Sequence, residues 1–249
     1  MRKMVYFLLF ALIGISCHKQ SAEEQFVLIN VDTLDRVGIA EELNYINTLK
    51  PKLVALDIQF SRDTDAYKDS VLISALRKTR NLFMISIIDD YDNGSKDEYE
   101  RFGLGSLPVF LVGAKTGFAN TVIEEDILRT QSRFSTHEYV AGNTEYHFGV
   151  RVAMSIDSLR AIRFVENNPR TVYVDYKNGD RRFKMFNSPD VLGRRVSMQD
   201  IEGKIVMLGF LGPGNEDKFF TPLNTNPDEP DMYGMVYLAH VAAQVIESE

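Results

Sequence analysis

The chain has a single cysteine, Cys17, no tryptophan, four histidines and no apolar run long enough to cross a membrane comfortably. One cysteine permits no intramolecular disulfide, so the core alone must carry stability even where oxidation would allow a bridge. His18, His137, His147 and His240 show none of the spacings of a zinc site. No Gly-x-Ser-x-Gly elbow is present to raise a nucleophilic serine. Gly209-x-x-Gly212-x-Gly214 lacks both the Lys-Ser/Thr of a Walker loop and the helix that opens directly after a dinucleotide fingerprint. No cofactor is therefore expected. Basic residues are also short, 28 against 35 acids, and the net charge of −7 argues against a nucleic-acid partner.

What is present reads as one exported globular domain. The 249 residues, 45% hydrophobic and 25% charged, suffice for a real core. Arg2 and Lys3 precede an apolar run from Met4 to Ile15, which ends at Ser16-Cys17. Spanning a bilayer takes about 20 apolar residues, so this run reads as a secretion leader. Gly14-Ile15-Ser16-Cys17 resembles a lipobox, with Gly14 where a Leu is usual. The expected organisation is a signal peptide over 1–16, a tether over 17–25 and a single folded domain over 26–249. Cys17 is the expected lipidation site. The protein is expected in the cell envelope, anchored to the membrane and facing the periplasm or the exterior.

The chain is organised around Lys204 to Leu223. Ile205-Val206-Met207-Leu208 is a short apolar run between glycines, the pattern of a strand buried on both faces of a parallel sheet. Gly209, Gly212 and Gly214 follow, with angles and close approaches open to them that other residues resist. Asp217 and Thr221-Pro222-Leu223 close the loop. Earlier in the chain, Phe26–Val31 and Leu53–Leu56 are apolar runs ending at Asp32 and Asp57, with a helix between them capped by Asp35. Strand, helix and strand in about thirty residues make a βαβ unit with parallel strands. A second helix over 66–78 and a third run over 82–88 continue the alternation. Further expected elements are a strand over 109–112, an exposed-face strand over 134–140 and a helix over 145–163. Strands at 171–174 and 183–186 flank Asn178-Gly179, a hairpin signal. The last helix is 234–246. The predicted fold is α/β, one domain with a mixed, mainly parallel sheet flanked by helices.

Parallel strands put their carboxyl ends on one edge, so Asp32, Asp57 and Asp217 are the candidate site beside the Gly-rich loop, with Gly212 and Gly214 as backbone contributors. Carboxylates held close want a cation, a shared proton or a basic partner. The competing structural reading has each acid capping a helix or pairing with a base such as Lys204 or Arg129. The identity of any metal is left open. His240, near the apolar face of the last helix, reads as a core histidine. A phosphatase reading of Leu28 to Thr33 fails at Asn30, because an amide cannot form an acyl-phosphate. It also fails at Phe210, which follows Gly209 where an Asp would be needed.

These residues carry a resemblance. Gly203-Lys204-Ile205-Val206, the Gly-rich turn, Asp217, Thr221-Pro222-Leu223 and the helix led by Pro230 to Gly234 resemble the CHASE domain of the second type. That family is an extracellular sensor associated with cyclases and histidine kinases. Asn30-Val31-Asp32, Leu56-Asp57-Ile58-Gln59-Phe60, Asp69, Gly117-Phe118-Ala119-Asn120 and Asp126-Ile127-Leu128-Arg129 extend the similarity over nearly all of 26–249. The chain departs from the family in lacking tryptophan and in holding Val236 and Leu238 where members often have an acid and a histidine. Members usually continue into transmembrane helices and a cytoplasmic output, and neither is expected within residues 26–249. The resemblance implies extracytoplasmic sensing of an unknown small ligand, without catalysis, through a partner such as a membrane signalling protein. The alternatives are an envelope lipoprotein with a structural or interaction role and no ligand, and a metal-dependent envelope hydrolase using the acid cluster.

Overall fold

The computed structural model describes residues 21–91, 98–103, 105–177, 179 and 183–249. The leader and Cys17 lie outside the described residues. In chain order the strands are β1 (Phe26–Asn30), β2 (Leu53–Leu56), β3 (Leu82–Ser86), β4 (Ile88–Tyr91), β5 (Glu98–Phe102), β6 (Lys115–Phe118) and β7 (Arg133–Ser135). They continue with β8 (His137–Val140), β9 (Asn143–Tyr146), β10 (Thr171–Tyr173), β11 (Lys184–Asn187), β12 (Ile205–Gly209), β13 (Lys218–Phe219) and β14 (Met232–Tyr233). The helices are α1 (Arg36–Thr48), α2 (Ala66–Lys78), α3 (Phe148–Met154), α4 (Ser158–Asn167), α5 (Ser188–Leu192), α6 (Met198–Ile201) and α7 (Gly234–Glu247).

Six strands form one sheet in the order β11-β1-β12-β2-β3-β6, and every pairing in it is parallel. Side chains alternate between its faces, as the period of two demands. Leu28, Ala55, Phe83 and Met207 face α3, α4 and α7; Ile29, Leu56, Met84 and Leu208 face α1, α2, α5 and α6. Both faces are covered, which explains why the strands read as unbroken apolar runs. Val206 and Leu208 are fully buried, as expected of the central strand. The helix α7 is apolar nearly all round, and it lies buried under the sheet for that reason.

Local signals set several boundaries. The Asp35 carboxylate accepts the N–H groups of Val37 and Gly38 at the start of α1, and Asp65 accepts that of Lys68 in α2. Ala22 is buried and its N–H donates to Glu247, so the body of the domain includes residues just before β1.

Four sequence expectations are corrected. The hairpin around Asn178-Gly179 does not form: β10 pairs antiparallel with β7, and β11 joins the main sheet beside β1. Burial of Tyr176 and Phe183 against His240 outweighs the local turn signal. The helix expected over 145–163 is β9 followed by α3 and α4, because Asp157 turns its carboxylate onto the Arg160 N–H and starts a new helix. Residues 109–112 do not form a strand. Pro108–Phe110 is a 3-10 turn that buries Phe110, and the edge strand lies at 115–118. The strand expected over 134–140 divides into β7, in one two-stranded sheet, and β8, in a four-stranded sheet ordered β4-β5-β8-β9.

Candidate functional site

The sheet order places β12 between β1 and β2, so the loops following all three strands leave from one edge. The Asp57 N–H donates to the Leu208 carbonyl at 2.8 Å, and the Val31 N–H donates to the Gly209 carbonyl at 2.9 Å. The loop after β12 carries Asp217 back over this edge. It is held by β13–β14 pairing, and the Gly234 N–H donates to the Asp217 carbonyl at 3.0 Å. The Thr221-Pro222-Leu223 turn is fixed by Asp231, whose carboxylate accepts the Thr221 N–H at 2.8 Å and its hydroxyl at 2.6 Å. That motif positions the loop; it does not enter the pocket.

Asp57 and Asp217 converge at the start of α7. Both carboxyls reach within 3.5 Å of the point where a side chain on Gly234 would begin. They form one wall of a pocket of about 230 Å³ at the sheet edge. Gln59, Thr121, Gln131 and Tyr237 contribute polar groups to it, and Ile85, Phe219 and Leu238 contribute apolar surface. Burial, then the charge of Asp217, pushes the Asp57 carboxyl up to about 7. Burial pushes Asp217, which keeps an open side to solvent, up to about 6. Among the described residues no basic side chain pairs with either; Lys204 donates to the Glu24 carbonyl instead. The N-terminal end of α7 lies beside them, and its partial positive charge only partly offsets their repulsion. Gln131 adds a side-chain oxygen that is buried with no hydrogen-bond partner.

The other predicted residues stand apart from this pair. Asp32 follows β1 on the same edge but is exposed, with its N–H bonded to Asn30 Oδ1 at 3.0 Å and a left-handed φ of 47°. It does not line the pocket. Gly212 and Gly214 also lie outside the lining. Neither they nor Gly209 takes a left-handed φ. Their value is close approach: a side chain on Gly212 would overlap the Phe210 ring, and one on Gly209 would crowd Met235 and Asp57. The described residues contain no group of three metal-ligating side chains. Sequence reasoning missed Gln131, Thr121 and Tyr237. Thr121 and Gln131 flank the matched middle segment, and Tyr237 sits one turn into the last helix. Nothing in their spacing announces a pocket.

The fold and this edge define an α/β domain with an acidic, partly enclosed pocket where the central parallel strands end. The family model of the CHASE2 domain matches residues 15–249, and the chain belongs to that family. CHASE2 domains are extracytoplasmic sensor domains and are typically non-catalytic. Among the described residues no helix is long and apolar enough to cross a membrane. No curated protein matches the chain, and no solved structure matches it.

Proposed function

We propose that this domain senses a small cationic ligand in the pocket closed by Asp57 and Asp217. The observation that supports this reading is two carboxyls converging on Gly234 with no base beside them. Such a pair is relieved by a cation, by a shared proton or by loss of one charge. Three acceptors on the pocket lining, from Asp57, Asp217 and Gln131, and an apolar wall suit a small amine or a partly hydrated metal ion. Asp32, Gly212 and Gly214 belong to the surrounding loops and influence the pocket from outside it. The test is a thermal-shift screen of a soluble form beginning at His18, with divalent metals and small amines. A ligand that binds only the folded state raises Tm with the logarithm of its concentration once that exceeds Kd. Stabilisation that disappears in Asp57→Asn is the expected result. An undiminished shift in that variant would move the binding site elsewhere. No shift with any cation would favour an interaction lipoprotein without a small ligand.

The finer reading of address is lipidation at Cys17, with the signal reaching a membrane partner. One acyl chain binds a membrane only marginally, whereas several anchor it stably. Cys17→Ser is expected to release the protein into the soluble fraction or leave it unprocessed. Wild-type protein that is soluble with an unmodified N-terminus would refute the anchor.

A further inference from the structure

Glu42 stands on α1 and is completely withdrawn from solvent, yet neither of its carboxyl oxygens meets a hydrogen-bond partner of good geometry. A carboxyl sealed from water with no cation beside it is held in its neutral form. The polar group next to it is the hydroxyl of Ser188, the first residue of α5. Ser188 uses its own proton elsewhere, donating to the Asn30 carbonyl at 2.7 Å. Its oxygen is left to accept the proton of a neutral Glu42. Asn30 then carries the connection across the end of β1. Its Oδ1 accepts the N–H of Leu211 at 2.8 Å and that of Asp32 at 3.0 Å, and its Nδ2 donates to Asn187 Oδ1 at 3.4 Å. Leu211 belongs to the loop that leads from β12 to Asp217.

We propose that Asn30 is a positioning residue for the Asp217 loop, and that Glu42, acting through Ser188, makes this positioning respond to protons. Neutral Glu42 leaves the Ser188–Asn30 bond intact and the loop held. Ionised Glu42 competes for the Ser188 proton and opens the seam between α1 and α5, which loosens Asn30 and its hold on Leu211. Several other ionisable groups on the surrounding elements are engaged elsewhere. On α2, Asp69 is bonded to Arg36; on α5, Asp190 pairs with Arg195. Tyr45 of α1 donates to the Val196 carbonyl beneath the Arg194 guanidinium, and Lys184 of β11 pairs with Asp200. Burial, opposed by Ser188, pushes the Glu42 carboxyl up to about 7, within the range where an envelope protein meets changing acidity.

This goes beyond ligand sensing, and its test needs no ligand. Amide hydrogen exchange at Leu211 is followed from pH 5 to pH 8 in the wild type and in Glu42→Gln, corrected for intrinsic exchange. Protection at Leu211 is expected to fall about tenfold over that range in the wild type and to stay nearly constant in the variant. Equal slopes in the two proteins would assign the effect to Asp217 and overturn the proposal. Should Glu42→Gln fail to fold, the wild-type Glu42 carboxyl carbon and the Leu211 amide are titrated together by NMR. A shared midpoint supports the relay; midpoints more than about one pH unit apart overturn it. In Ser188→Ala, Glu42 is expected to titrate while Leu211 no longer follows; a Leu211 that still follows would also refute it.

Discussion

Asp69 lies between α1 and α2 with a guanidinium against it; Asp57 lies at the end of β2 with a second carboxyl against it. Burial pushes both toward the neutral form. At Asp69 the Arg36 guanidinium and the N–H and hydroxyl of Thr64 outweigh that push and hold the carboxyl below its ordinary range. Arg36 is itself satisfied by the Arg62 carbonyl and lies over the Phe110 ring at 4.7 Å. Nothing comparable answers Asp57, which is pushed up to about 7. The same residue type, drawn out of water on the same domain, is a completed structural joint in one place and an unmet demand in the other. An unmet demand at the mouth of a pocket is where a ligand contributes binding energy.

The strongest way to break the comparison is to damage the sheet from which the pocket hangs. Leu208 is fully buried in β12, and its carbonyl receives the Asp57 N–H. Leu208→Ala is expected to destabilise the domain by roughly 2–5 kcal/mol in denaturant unfolding. A wild-type midpoint would show that β12 is not the central strand.

Next in size is Asp69→Asn, which leaves Arg36 without its counter-charge. Tm is expected to fall by several degrees at every pH above the carboxylate range. If instead the variant matches the wild type, the Arg36–Asp69 joint contributes nothing and the contrast with Asp57 collapses.

Asp57→Asn is expected to act in the opposite sense. A carboxyl whose folded pKa is raised contributes stability that is complete below its unfolded value of 3.8 and is lost as pH climbs through the folded value. Wild-type stability from this pair therefore drains away between about pH 4 and pH 7. The variant, freed of one charge, is expected to be more stable by roughly 1–3 kcal/mol at pH 8 in chelator and nearly unchanged at pH 4. Stability lost equally at both pH values would mean that Asp57 has a basic partner after all.

The smallest effect belongs to Gly234→Ala. A methyl there would stand 3.3 Å from both Asp217 oxygens and 3.5 Å from Asp57, tight but not in collision. Stability is expected to change by less than about 1 kcal/mol, since alanine also favours the helix. Any cation-induced rise in Tm is expected to disappear, and a rise that survives would place the cation away from Gly234.

The sequence alone determined the parts that depend on near neighbours. Apolar runs bounded by turns marked β1, β2, β3 and β12, because a strand buried on both faces has no polar side to show. Asp35 marked the start of α1, and the 3.6-residue period marked α2 over 66–78. The acids at the strand ends were legible as one edge, since parallel strands share a direction. Tertiary structure decided who meets whom on that edge. Insertion of β12 between β1 and β2 brings Asp217 to Asp57 and leaves Asp32 in solvent, and no local pattern encodes that order. The hairpin around Asn178-Gly179 and the long helix over 145–163 failed for a related reason. A turn signal or an apolar period is a short-range preference of small magnitude, while the place of β11 beside β1 is set by parallel pairing across more than 150 residues of chain and by burial of the flanking Tyr176 and Phe183. Glu42 is the clearest case. On paper it is an ordinary helix glutamate, and only the folded domain, in which α5 packs against α1, withdraws it from water.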